Sequence, residues 1–388
     1  MIICTIFSSI DGALCLEIGV KITIERNKYI MKFSDLMLDM ATGDASIHDA
    51  YIQEAVGKIN VSHAYFEAAY KISELPQSDN EFMIVQEAAD AGMPTDAEGA
   101  TGVANEAVVQ ELNAFFDLVV ATARKVKQAA DKDFKALAGL GKGLGVSVGD
   151  TDNIRTFADN LAKAVVEGRG KNVKSSVMRA RPGSIELGSR KFLASMYMKK
   201  LTKKYAQGMG KFMAMYGLSI ADAFKNESIK AYAGAEPVGA KEGSGIHGLS
   251  SALNSGIGQI IDKGNTADHG NKYRTNIAAK DIADLVMCVY TVRIISEAVI
   301  QVAGPKSVKK SVSANITQAM SGGSGKKSVS AVAHDIDEAV KNATPKMNDV
   351  AKNIVSGYTD SVYALVEVSN GGRAPLPKKA DEKTDEES

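Results

Sequence analysis

Apolar side chains recur at three- and four-residue intervals along most of this chain, the spacing of an amphipathic helix face. Ile47, Tyr51, Ala55, Ile59, Phe66 and Ala69 step in this way from a capping Ser46, predicting a helix that runs toward Leu75 until Pro76 stops it. A short helix is expected at Glu81–Ala91, followed by an acidic loop broken by Gly92, Pro94, Gly99 and Gly102. The clearest element spans Ala104 to Leu137. Val108, Leu112, Phe115, Val119, Ala123 and Val126 form one stripe, which Phe134 and Leu137 continue. A helix of roughly 34 residues reaches about 50 Å, a length that suits a strut or a bundle. The glycine run Gly139–Gly145 is expected to end it.

Beyond that run, Asp152–Glu167 predicts a helix and 168–182 a basic turn region. Ser189–Tyr216 carries a stripe of Phe192, Leu193, Met196, Tyr197, Leu201, Tyr205, Met209, Phe212 and Tyr216, with Lys200, Lys203, Lys204 and Lys211 on the other side. Further helices are expected at Ser219–Tyr232 and Leu249–Asp262. Asn276–Ala303 is strongly apolar, yet Lys280, Asp281, Asp284, Arg293 and Glu297 interrupt it, so it reads as the most deeply buried helix and not as a membrane span. Leu285–Val292 is the one place where a strand competes. The hexapeptide beginning at Lys309 recurs at Lys326, and in each copy a serine is expected to cap a helix. The second copy opens a long helix to Val368, kinked at Pro345, with Val332, Ile336, Val340, Met347, Val350, Ile354 and Tyr358 inward. Residues 370–388 have too little apolar surface to bury and read as a disordered tail.

The fold class that follows is mostly α: an elongated multi-helix bundle with long amphipathic helices and little or no sheet. It divides along the chain into an N-terminal segment, 1–30, an acidic helical region, 31–150, a basic helical region, 151–233, a C-terminal helical region, 234–369, and the tail. The chain has 388 residues, 45% apolar and 24% charged, with no tryptophan and only 6% aromatics, so its core relies on Ala, Val, Ile and pliable Met. The first thirty residues read differently. They are β-branched, contain Cys4 and Cys15, and lack the basic start and the clean cleavage site of a signal peptide. The sequence MKFSDLMLDM at Met31 is the expected natural start, and the alternative is a loosely packed N-terminal strand pair. With that leader set aside only Cys288 remains, in an apolar run, where it reads as a small buried side chain.

Several stretches imitate catalytic or cofactor motifs. In Met320–Ser328 a phosphate-binding loop would need glycine where Met320 stands, Ser or Thr where Lys327 stands, and a strand leading in. Gly139–Gly145 fails in the same way. Gly243, Gly245 and Gly248 have the dinucleotide spacing, but Glu236–Glu242 before them is no buried strand. His48, His63, His247, His269 and His334 are scattered, and none has a metal-binding spacing to Cys or a second His. Asp262, Asp268 and His269 read as a solvated loop. No catalytic residue, metal or cofactor is expected.

Formal net charge is zero, but its distribution is uneven. Between Met31 and Val120 about 16 acids face about 3 lysines, whereas Ala121–Lys230 holds about 22 bases and about 9 acids. Arg169, Lys171, Lys174, Arg179, Arg181, Arg190, Lys191, Lys200, Lys203, Lys204 and Lys211 are interleaved with Tyr197 and Tyr205. This is the density that phosphate contacts require, without a recognition-helix or base-stacking signature, so nucleic-acid binding there would be nonspecific. The competing reading pairs these bases with the acidic N-terminal half.

In overall texture MKFSDLMLDMATGDASIHDAYI and SRKFLASMYMKKLTKKYAQGMGKFMAMYG resemble virion structural proteins of large tailed bacteriophages. The resemblance extends over Met31–Val368 and rests on no diagnostic motif. It implies a component packed in a particle, assembled in the host cytoplasm and in contact with copies of itself or other virion proteins. The leading expectation is therefore a non-enzymatic structural protein that oligomerises through helical faces. A nucleic-acid-associated internal protein using 169–211 is the second reading. A membrane-active helical protein is the third, with no stable transmembrane anchoring expected.

Overall fold

A computed structural model describes residues 45–74, 97–149, 153–168, 183–188, 190–233, 272–321 and 329–369. In chain order these are α1 (Ala45–Glu74), α2 (Ala97–Gly143), α3 (Ile154–Val166), β1 (Ser184–Glu186), β2 (Phe192–Leu193), α4 (Ser195–Met215), α5 (Ala221–Phe224), α6 (Glu227–Ala233), β3 (Tyr273–Arg274), β4 (Asn276–Ala278), α7 (Ala279–Ala303), α8 (Lys306–Ser321) and α9 (Val329–Ser369). The described part of the fold is mostly α, as expected. Its strands form only two short antiparallel ladders, β1 with β4 and β2 with β3.

Helix α2 is the hub, with 47 residues and a length of about 70 Å. Its stripe is fully buried at Val108, Leu112, Phe115, Leu118, Val119 and Ala123, and it packs against α1, α7, α8 and α9. Aromatic edges add contacts to α4: Phe115 meets Phe212 at 5.6 Å and Phe116 meets Tyr216 at 4.9 Å. Each such side chain withdrawn from water contributes about 1.5–3 kcal/mol, which is why the stripe fixes the position of the hub.

The glycine run does end α2, but within the run at Gly143, six residues past Leu137, and the helix starts earlier than Ala104, at Ala97. The run also provides close approach. A Cβ on Gly141 would lie 2.7 Å from the Val146 carbonyl oxygen and 3.0 Å from the Phe157 ring, at the point where Gly145 turns the chain with φ +73°. Asn153 then opens α3 by accepting the Arg155 backbone N–H at 2.8 Å.

The amphipathic basic helix starts later than its periodicity predicts, at Ser195, because Phe192 and Leu193 pair with Arg274 and Tyr273 instead. Asn276–Ala278 is likewise extended, paired with Ser184–Glu186, before α7 begins. The Asp281 carboxylate accepts the Ala278 N–H at 2.9 Å and so caps α7. From there 285–292 is helical throughout.

The helix expected at Ser219–Tyr232 divides into α5 and α6. The first hexapeptide copy lies inside α8 and does not cap it; the Pro305 carbonyl accepts the Val308 N–H at 3.0 Å and the helix opens at Lys306. Pro345 sits within α9. The expectations for Met1–Ile30, Glu81–Ala91, the loop and helix between 234 and 262, the phosphate-loop look-alike at 322–328 and the tail lie outside the described residues, as does the side chain of Val350.

One continuous core draws on the acidic, basic and C-terminal regions together. Helix α7 is its deepest member, buried without a break from Asp281 to Val289. Among the described residues it is also the one helix long and apolar enough to cross a membrane. Here α2, α3, α4 and α6 cover it.

Candidate functional site

Of the eleven basic residues singled out from the sequence, Arg169, Lys171, Lys174, Arg179 and Arg181 lie outside the described residues. The other six divide. Arg190 is turned inward as a bidentate partner of Glu367, with both N–H···O distances at 2.8 Å, and the pairing holds its guanidinium and that carboxylate in their charged forms. The Lys204 ammonium is buried and Lys211 is half-buried. Lys191, Lys200 and Lys203 are exposed.

Those three belong to a surface that β3 completes. Lys272 Nζ lies 5.0 Å from the centre of the Tyr197 ring and 5.7 Å from that of Tyr273, and Lys191 Nζ lies 5.7 Å from the centre of the same Tyr273 ring. Arg274 is exposed beside them. On α4, Met196, Lys200 and Lys203 are spaced four and three residues apart and so share one face. Met196 is 80% exposed, the most solvated large apolar side chain among the described residues. The result is a cationic patch in which the Lys191 and Lys272 ammonium groups lie over tyrosine rings, a chemistry suited to phosphates and to the flat faces of bases. Tyr205, the second aromatic expected there, is buried and bonded to Ser296 at 2.7 Å. The Lys-Tyr-Arg tripeptide at 272–274 was the sequence signal for the missing half of the patch.

Beneath this surface is a polar network that sequence reasoning did not anticipate. Asp284 of α7 is 1% exposed. Ser195 donates to its Oδ2, Tyr232 OH donates to Oδ1 at 2.8 Å, and Lys199 Nζ lies 3.0 Å from Oδ1. Arg155 Nη1 in turn donates to Tyr232 OH at 2.8 Å, and Lys199 sits 5.4 Å above the Tyr232 ring. Burial, with Asp284 beside it, holds the Tyr232 phenol in its protonated form. One carboxylate thereby links α3, α4, α6 and α7. Lys199 and Arg190 of the basic region thus find their acids on α7 and α9, and not in the acidic N-terminal half. Cys288, one turn beyond Asp284, is fully buried, and burial pushes its thiol up to about 12.

The same joining recurs along α2. Lys125 bonds Asp49 of α1. Arg293 of α7 donates to Asp131 at 2.6 Å, Lys309 of α8 to Asp117 at 2.6 Å, and Thr359 of α9 to Asp133 at 3.0 Å. Tyr216, just past α4, donates to the Leu112 carbonyl at 2.9 Å. Burial works against the charge of Asp131, but hydrogen bonds from Lys127 and Arg293 outweigh it and keep that carboxyl below its usual range. Comparison with protein-family models, with curated proteins and with solved structures finds no match.

Proposed function

We propose that this chain is a non-enzymatic structural protein, a helical subunit that works by assembly. The supporting observation is the hub helix: polar groups along α2 tie it in turn to α1, α4, α7, α8 and α9. Ionisable side chains here join helices to one another, as a part that must keep its shape under load requires. The resemblance of Met31–Val368 to phage virion structural proteins is the reason for locating the assembly in a particle formed in the host cytoplasm, with other copies or other virion proteins as partners. Size-exclusion chromatography with light scattering, across salt and protein concentration, tests this. Discrete oligomers are the expected result, and a monomer under every condition refutes the proposal.

A second reading has its own observation, the Lys191–Tyr273–Lys272–Tyr197 cluster with Lys200 and Lys203 beside it. On this reading the subunit meets nucleic acid nonspecifically. Affinity for unrelated single-stranded and duplex DNAs should fall steeply with salt, with a slope that decreases by about one for each phosphate-contacting lysine changed to glutamine. Absence of binding at low salt eliminates this reading.

A further inference from the structure

Three helices remote from one another in sequence bring a second, wholly different cluster together. His63 of α1, Glu111 of α2 and Asp337 of α9 each offer one ligand atom, and these atoms lie within 4.8 Å of one another. His63 Nδ1 is 2.6 Å from Asp337 Oδ1. The other ring nitrogen, Nε2, is 3.1 Å from Glu67 Oε1, an oxygen that also faces Lys341 Nζ at 3.6 Å.

Glu111 is the anomaly. It is 0% exposed, and neither carboxylate oxygen has a hydrogen-bond partner. A buried carboxylate left without donors is strongly disfavoured, and a native core accommodates one by protonating it or by supplying a cation. Without an ion, burial, the charge of Asp337 and a hydrogen bond to it raise the Glu111 carboxyl, so a protonated Glu111 would face Asp337 with one oxygen. Protonation alone still leaves the second Glu111 oxygen unmatched. A cation supplies the charge partner that the carboxylate lacks.

We infer that His63, Glu111 and Asp337 form a binding site for one divalent transition-metal ion, which staples α1, α2 and α9 together. The donor set carries the inference. Neutral imidazole and two carboxylates supply two negative charges for a dication, and the nitrogen donor favours zinc, manganese or iron over calcium and magnesium. Donor atoms on such an ion stand about 3.0–4.2 Å apart, given bonds of about 2.1 Å, so the cluster fits after small side-chain movements. The surroundings also fit. Glu67 Oε1 stands 3.1 Å from His63 Nε2, within reach of that nitrogen's proton, so that Nδ1, now against Asp337, is the nitrogen left for the ion, the outer-shell arrangement that metal-bound histidines depend on. Asp337 is 2% exposed and Glu111 0%, so an ion held there lies largely inside the bundle, where it ties the three helices together.

The test uses the full chain, stripped with chelator and titrated separately with Zn²⁺ and Mn²⁺ while bound metal per chain and the unfolding temperature are measured. One ion per chain and a rise in unfolding temperature with added metal are expected. Glu111→Gln should abolish both responses while leaving the metal-free protein folded, because the amide is neutral and the same size. Glu67→Gln should weaken binding about 10- to 100-fold with no ligand removed. If the wild-type chain binds neither ion, or if Glu111→Gln and His63→Gln bind as the wild type does, the inference is wrong. The first result would mean a protonated core glutamate, and the second an ion held elsewhere. Either outcome leaves the assembly proposal standing.

Discussion

Gly357 sits near the C-terminal end of α9 where that helix crosses β2, and adding one methyl there sets two calculable effects against each other. Alanine is better than glycine inside a helix by about 1 kcal/mol. Yet a Cβ at 357 would lie 2.5 Å from Leu193 Cδ1, 3.3 Å from Cγ and 3.6 Å from Cδ2. Leu193 is 0% exposed, its backbone N–H is bonded to Ser361 Oγ at 3.0 Å, and that hydroxyl donates to the Gly357 carbonyl at 2.7 Å. The added methyl must displace a leucine side chain that is packed on all sides, and forcing a methyl into such packing costs about 1–3 kcal/mol. Overpacking cancels or outweighs the helix gain, and Gly357→Ala should destabilise the protein by up to about 2 kcal/mol. Gly57, exposed on α1 with nothing within 4 Å of an added Cβ, supplies the control: Gly57→Ala should stabilise by about 0.5–1 kcal/mol. Urea unfolding followed by far-ultraviolet circular dichroism reads both as midpoint shifts at a common slope. In a Leu193→Ala background the penalty at 357 should vanish. Equal stabilisation by the two glycine substitutions would mean that α9 does not lie on β2 as described.

The remaining predictions concern charge and access. Asp133 is 5% exposed, and burial raises its carboxyl from the ordinary 3.8 to about 7 against the pull of the Thr359 hydroxyl. Between those values the folded chain holds a proton that the unfolded chain has released, so stability falls as pH rises from about 4 to about 7, in total by about 4 kcal/mol. In Asp133→Asn this part of the decline should be absent from a pH series of unfolding curves; an unchanged profile would refute the assignment. Asp284→Ala should destabilise by about 3–5 kcal/mol, because it leaves Lys199, Ser195 and Tyr232 facing a buried void, and calorimetry would measure it. Arg190→Lys, which breaks a half-exposed bidentate pair, should cost only about 1 kcal/mol or less. Cys288 should resist thiol reagents in the native protein and react at the rate of unfolding, as mass spectrometry of timed alkylation would show.

Helix positions were legible wherever one face alone decides burial. The stripe from Val108 to Leu137 and the run from Ile47 to Ala69 both form the helices their spacing predicts, because each has a single apolar side to hide. Asn276–Ala303 was legible as the buried helix for the opposite reason: it is apolar nearly all round, and of its charges Asp281 caps it while Asp284 and Arg293 bond neighbouring helices. The short ladders were not legible. Phe192 and Leu193 continue the helical stripe of 196–216, and only their pairing with residues some eighty positions later makes them extended. The basic block was legible in composition but not in direction, since nothing local says that Arg190 turns to Glu367 while Lys191 turns to Tyr273. His63, Glu111 and Asp337 escaped because metal spacing rules read donors within one segment, and these come from three helices. The remaining signal was a lone glutamate at position 111, midway along an otherwise apolar stripe.

The two small ladders also bear on folding order. Ala194 N–H bonds to the Lys272 carbonyl at 2.9 Å, beside the β2–β3 pairing, so the ladder joins positions about eighty residues apart in the chain. Closing a loop of about eighty residues costs about 4 kcal/mol in chain entropy plus a constant. Two ladders paired at three and two positions offer little against that, since each net hydrogen bond contributes about 1 kcal/mol. The ladders must therefore form late, after α4 has docked on α7 and brought the two ends of the loop within reach of each other.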